Sequence, residues 1–429
     1  MLYVHFYILL VLKFKLMLII KYFFVIIILS YSTLFNMNID DTVGKFETIK
    51  KIELKENDDV VVASVNNIHL SDDLKYLYIL SNETNLFIVN DYISGEIINF
   101  ISPYKELCDS LFDSGKKPHN HFGNNYYYVD VRKDMAANDF LNNLHVKNNF
   151  DHSQLLNDGT LMVSATIYAL AKQENSTNTL TDNRTCIIRT DKNLNPIKTY
   201  FFDSDYFGYP INDKFLYFEQ NNIFGLTFTS NTRQQKNQFD SLPFYSFFKS
   251  DGKRLDTIFY LSEEFSKSQK GYFTQWFPLV DTYKDKIYYA HKQLERVYNY
   301  SDGSFFDLKN VEASNWNRIH ELMNNPELNI NYYKLFEELP FLFNNFYIDN
   351  GKIIAIFYNH FQTNPPNKTD KYFIQFYDLD GKLLNSYSFP VWTDDGELYN
   401  IFYSKKHKYF VFSNLKDDMY NLVIKKYNE

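Results

Sequence analysis

Few side chains in this chain are spaced for chemistry, and histidine supplies the densest group. His119 and His121 stand one residue apart in Lys117-Pro118-His119-Asn120-His121, and Asp151-His152 opens the next strand-like region. On a strand, residues two apart point to one face. Such a pair could chelate a metal, with His152 or Asp151 as a further ligand. Pro118 and Gly123 give the segment the character of a loop, and an Asn/His-rich loop needs no metal to explain it. Asp394, Asp395 and Glu397 form an acidic run that could do acid–base work on a glycan, although a solvated turn has the same composition. Asp378 and Asp380 fall short of the full oxygen-ligand series of a calcium loop and read as a turn.

The motifs that announce a reaction are missing. The chain has no P-loop, no Gly-x-Gly-x-x-Gly, no His-Glu-x-x-His, no Gly-x-Ser-x-Gly elbow and no Cys-x-x-Cys. No cofactor is expected. Cys108 and Cys186 are too few for a disulfide framework and read as two buried thiols. The formal charge is −8, and the first 37 residues hold Lys13, Lys15 and Lys21 without an acid, so the remainder is more acidic still. An acidic body with no basic stripe argues against nucleic acid as a partner.

The bulk composition, 45% hydrophobic and 22% charged, is that of a globular protein. With 36 Tyr and 41 Phe, aromatics reach 19%, but Gly (13) and Pro (11) are scarce. That balance is how an AT-rich genome writes any protein, so the aromatic count alone implies no ligand. It does imply strands, because Tyr and Phe suit a pleated, half-buried surface.

The elements that must carry any site repeat. A strand of large residues leads through an acidic turn into a second short strand. Leu86 to Asn90 passes through Ser94-Gly95 into Glu96 to Phe100, and Cys186 to Arg189 passes through Asp191 and Asn193 into Ile197 to Phe202. Tyr245 to Phe248 turns at Ser250-Asp251-Gly252, Val297 to Tyr300 at Ser301-Asp302-Gly303, and Phe373 to Tyr377 at Asp378-Leu379-Asp380-Gly381. Asp-Gly tolerates the positive φ that such turns need. Further strand-like runs precede each hairpin, among them Tyr76 to Leu80, Leu161 to Tyr168, Phe215 to Phe218, Lys286 to Tyr289 and Lys352 to Tyr358. Four strands per repeated unit is the layout of a β-propeller.

Five copies are complete, and the sixth is divided between the ends of the chain. Tyr399 to Tyr403, Tyr409 to Ser413 and Asn421 to Tyr427 stop one strand short, while Lys45 to Lys55 supplies an orphan strand. Pairing them completes a blade and removes two exposed edges. The expectation is an all-β, six-bladed propeller over residues 45–429, closed by its N-terminal strand. The long interval between Gly95 and Asn193 leaves seven blades as an alternative. Helical insertions are expected at residues 104–112, 134–144 and 316–323, with a second turn at 333–339.

The Asp378-Leu379-Asp380-Gly381-Lys382 run, the alternating strands and the N-terminal closing strand resemble the TolB-like six-bladed propellers found among exported bacterial proteins. Many of those are lipoproteins of unknown function. The resemblance spans residues 45–429 in repeat style; it transfers no functional residue, and no cysteine stands in a lipobox position. Read from Met17, the N-terminus has the layout of a signal peptide: Lys21, an apolar Tyr22 to Leu29, and Ser30-Tyr31-Ser32 for cleavage. Residues 1–36 are thus expected to be a signal peptide, with an uncleaved membrane anchor as the alternative. The functional expectation is an exported, non-catalytic module that binds a protein, peptide or glycan. The alternative is a propeller hydrolase or lyase working in the central channel, metal-assisted if the histidines gather.

Overall fold

A computed structural model describes residues 45–81, 83–84, 86–101, 125–129, 149–176, 179–202, 208–230, 243–255, 259–260, 278–284, 286–291, 296–308, 341–359 and 370–428. Every element among them is a β-strand. The expected signal segment, the helical insertions, Cys108, His119 and His121 lie outside these residues.

The strands form six antiparallel sheets. Blade 1 runs outward from Asn67–Leu70 through Tyr76–Ser81 and Leu86–Asp91 to Ile97–Ile101. Blade 2 begins with Asn149–Leu155 and continues through Leu161–Gln173, Thr179–Thr190 and Pro196–Phe201. Blade 3 starts at Gly208–Phe218, blade 4 at Pro278–Tyr283 and blade 5 at Phe341–Asp349, each with three strands outside it. Blade 6 takes Gly396–Ser404, Tyr409–Lys416 and Met419–Tyr427 from the C-terminal end, and its outermost strand is Phe46–Glu53. The six innermost strands are neighbours in cyclic order, from blade 1 round to blade 6 and back to blade 1. The protein is a six-bladed β-propeller.

The long interval that could have hidden a seventh blade adds only Tyr126–Val129 among the described residues. That strand lies on the far half of Leu161–Gln173, with Tyr126 opposite Gln173. Blade 6 also explains why just five acidic turns recur. Its outermost strand arrives from the other end of the chain, so no turn joins its last two strands.

Residues 48–425 form the propeller body, and the described residues 45–47 and 426–428 belong to a second, small unit. Within the small unit, Asn428 N–H donates to the Lys45 carbonyl at 2.9 Å and the Phe46 and Tyr427 rings lie 5.2 Å apart. Within the body, Leu54 N–H donates to the Tyr420 carbonyl at 2.9 Å, carrying the closing pairing onward.

The core is a series of apolar layers between adjacent sheets. Leu80, Phe87 and Val89 of blade 1 pack on Val163, Cys186 and Ile188 of blade 2. Ile52, Leu422 and Ile424 of blade 6 pack on Leu70, Leu77 and Ile88 of blade 1. Cys186 is a buried thiol whose Sγ donates to the Ala165 carbonyl at 3.6 Å. The outer turns register one blade on the next. Gly95 has φ +74°, and a Cβ there would overlap the Glu53 carbonyl oxygen of blade 6. Gly252, at φ +88°, stands in the same relation to the Phe201 carbonyl of blade 2. In blade 2 the left-handed residue is Leu194, at φ 67°, one place beyond the Asn193 on which the sequence centres the turn. Leu194 is fully buried, and apolar contact there outweighs the backbone cost.

Candidate binding site in the axial channel

The innermost strands enclose a channel of about 560 Å³ to which all six blades contribute. Their pleat decides what faces it, because alternate residues of a strand point to opposite sides. In blade 1, Ile68 and Leu70 are buried in the layer against blade 6, which leaves Asn67 and His69 to the channel. In blades 2, 3, 5 and 6 the innermost strand slips register once. The first residues back in register are His152, Phe215, Asn345 and Asn400. A bulge of this kind re-aims the side chains around it.

Two polar clusters result. Where blade 1 meets blade 2, Asn67 Nδ2 donates to His152 Nδ1 and to the Ser153 carbonyl, both at 3.0 Å. His69 Nε2 lies 2.9 Å from Ser153 Oγ. Burial pulls the His69 imidazole down to about 4, against a weaker upward pull from the Ser153 backbone, so it is neutral at neutral pH. Accepting from Asn67 puts any proton of a neutral His152 on Nε2. The His152 ring also stands edge-on to Phe215, centroids 5.4 Å apart.

Where blade 5 meets blade 6, three carboxamides converge. Asn344 Nδ2 and Asn345 Nδ2 donate to Asn400 Oδ1 at 2.8 and 3.2 Å, and Ile401 N–H donates to the same oxygen at 2.8 Å. Asn345 Nδ2 also reaches the Ile401 carbonyl at 2.7 Å.

One end of the channel is bound by charge. After Gly396–Ser404, the turn Lys405-Lys406-His407-Lys408 touches three other blades. Lys405 Nζ donates to Asp281 Oδ1 of blade 4 at 2.6 Å, Lys406 pairs with Asp72 of blade 1, and Lys408 pairs with Asp349 of blade 5. His407 Nε2 lies 3.0 Å from the Ser71 carbonyl. Asp281 is only 8% exposed, yet its carboxylate is well served: Ile348 N–H and Thr282 N–H donate to it at 2.7 and 2.8 Å.

The sequence-derived candidates fare unevenly. His152 lines the channel beside Asn67 and Phe215, while His119 and His121, its partners in the candidate metal cluster, lie outside the described residues. Among the described residues no group of three or more His, Cys, Asp or Glu gathers as a metal site would require. The acidic run is distributed: Asp395 pairs with Lys51, the Asp394 carbonyl accepts from Lys416, and Glu397 begins an innermost strand with its carboxyl raised by burial. Asp378 Oδ1 accepts from Asp380 N–H and Lys382 N–H of its own turn. Sequence reasoning missed His69 and the three asparagines. The alternation in Asn67-Ile68-His69-Leu70 was a usable signal for the first. No helix of the described residues is long and apolar enough to cross a membrane.

No protein-family model matches the chain, and no curated protein matches it in sequence. Among solved structures, it is similar to a member of the duf4221 family from Bacteroides vulgatus ATCC 8482. The TM-score is 0.50 at 10% identity, covering 90% of this chain and 98% of that one. A putative exported protein from Bacteroides fragilis NCTC 9343 aligns over 91% of this chain and 97% of its own, with a TM-score of 0.48 at 10% identity. At 10% identity the likeness to the Bacteroides vulgatus structure is one of fold, and the six sheets themselves show an all-β, six-bladed propeller.

Proposed function

We infer that the protein is an exported, non-catalytic binding module whose ligand seats in the axial channel. One observation carries the reading: all six innermost strands line one cavity of about 560 Å³, into which blades 1, 2, 5 and 6 bring carboxamide, imidazole or hydroxyl groups while blades 3 and 4 add apolar side chains and Asp281. That size lies within the roughly 300–1,000 Å³ of small-molecule sites, and convergent polar groups on a rigid scaffold are what such sites use. The signal-like segment at residues 17–32 and the exported protein among the similar structures support the location.

The test is native mass spectrometry of the protein after exposure to the small-molecule fraction of an envelope extract. A bound mass is expected on the wild type and its loss is expected in Asn345→Trp, which fills the channel, provided both proteins melt alike. A mass retained by the plugged variant would refute the reading.

A further inference from the structure

We propose that the channel selects an uncharged, hydroxyl-rich ligand, a mono- or disaccharide, through the carboxamide cluster of Asn344, Asn345 and Asn400. The proposal deepens the binding reading above and rests on it.

The first argument is charge. Besides His69 and His152, four acidic or basic side chains line the described channel: Asp72, Asp281, Lys405 and Lys406. These four are paired within that lining, Asp281 with Lys405 and Asp72 with Lys406. A charged ligand entering here would shed water without meeting a spare countercharge, which is unfavourable. A neutral one meets no such barrier. The chemistry left to recognise it is that of amides, imidazoles and hydroxyls.

The second argument is unspent hydrogen-bonding capacity. Each carboxamide offers two donors and an acceptor. All the contacts Asn400 makes through its side chain fall on Oδ1, which takes three donors, so both Nδ2 protons remain available among the described residues. Asn344 and Asn345 engage through Nδ2, leaving their Oδ1 atoms as acceptors. One donor group flanked by two acceptors, held across a blade boundary, matches adjacent hydroxyls, each of which gives and takes a hydrogen bond. A site built this way rejects analogues that leave its polar groups unpaired.

The experiment compares one sugar ring in three charge states. Isothermal titration is run with N-acetylglucosamine and its β-linked disaccharide (neutral), glucosamine (cationic) and glucuronate (anionic), alongside N-acetyl-triglycine amide as a neutral peptide. Wild type is compared with Asn400→Asp, which keeps the oxygen that takes the three internal donors and replaces the spare donor with a carboxylate oxygen. A second variant, Asn344→Ala, removes one flanking acceptor and guards against a local defect in the first, and thermal melting verifies both folds. A neutral saccharide should bind at least about tenfold tighter than either charged counterpart, and each variant should lose about tenfold or more. Tighter binding by a charged sugar would overturn the selection for an uncharged ligand, and binding of the peptide alone would overturn the saccharide class. If those ligands were then lost in Asn400→Asp, the channel would stand as the binding site. Binding that neither variant alters would overturn the channel itself, and a panel in which nothing binds would overturn the saccharide proposal.

Discussion

At the outer edge of the sheets, Gly95 and Gly252 let the turn of one blade rest on the backbone of its neighbour. At the axis, Lys405, Lys406 and Lys408 extend from one turn to blades 4, 1 and 5. The rim contacts are short-range and steric, so one added methyl is enough to disturb them and salt should leave them alone. The axial contacts are electrostatic and join blades that are not all adjacent, so they respond to salt. The scaffold is thus fastened where nothing needs to change, and its centre is left polar and chemically responsive.

The comparison is tested most severely by removing the rim's closure. Deleting residues 45–55 strips blade 6 of its outermost strand and bares the edge of Met419–Tyr427. It is expected to abolish the cooperative melting transition in calorimetry; a truncated protein that melts like the intact one would show that closure contributes nothing. Next come the turn glycines. Gly95→Ala and Gly252→Ala combine a left-handed backbone with overlap on a carbonyl, and each should cost about 2–4 kcal/mol in urea denaturation. Gly303, also left-handed at φ +71° but with open space beside it, should cost about 1–2 kcal/mol when changed to Ala. Equal losses at Gly95 and Gly303 would remove the steric part of the argument.

Smaller effects belong to the axis. Lys405→Met leaves the Asp281 carboxylate buried without its cation and should cost about 1–3 kcal/mol, whereas Lys406→Met, at a more exposed pair, should stay within about 1 kcal/mol. The Lys405 cost should shrink in high salt and the Gly95 cost should not. The smallest effect is one of pH. Burial holds folded His69 at about 4, against 6.5 for the ordinary imidazole. Between those values the unfolded chain binds a proton that the folded protein refuses, so stability falls as pH drops from 6.5 toward 4. His69→Asn should flatten that part of the stability–pH curve; an unchanged slope would mean that the imidazole is not shielded.

The rim was more legible in the sequence than the axis, and the reason is physical. Outer hairpins need Gly or Asp at fixed offsets to reach positive φ, and Gly95, Gly252, Gly303 and Gly381 stand at them. The orphan strand at residues 45–55 was readable because a sheet edge without a partner is costly. Innermost strands carry no such punctuation. Phe341–Asp349 and Gly396–Ser404 each hold a bulge that breaks the two-residue period, so Asn345 and Asn400 sit out of phase with their own strands. Their partnership also crosses 55 positions of sequence, a separation that single-strand patterning cannot bridge. His152 lies beside an amide and a phenyl ring, neighbours from other blades that composition could not reveal.

The split blade also bears on how the molecule is made. Phe46–Glu53 leaves the ribosome hundreds of residues before Met419–Tyr427, the strand it must pair with. The last join of the sheet therefore waits until Met419–Tyr427 has been made, and long-range pairing of this sort is slow. A chain cut short by premature termination would keep its early hairpins and lack the strand that seals them. Closure thereby works as a length check, in which only a chain that has reached its Met419–Tyr427 strand can withdraw its sticky edges from the surrounding proteins.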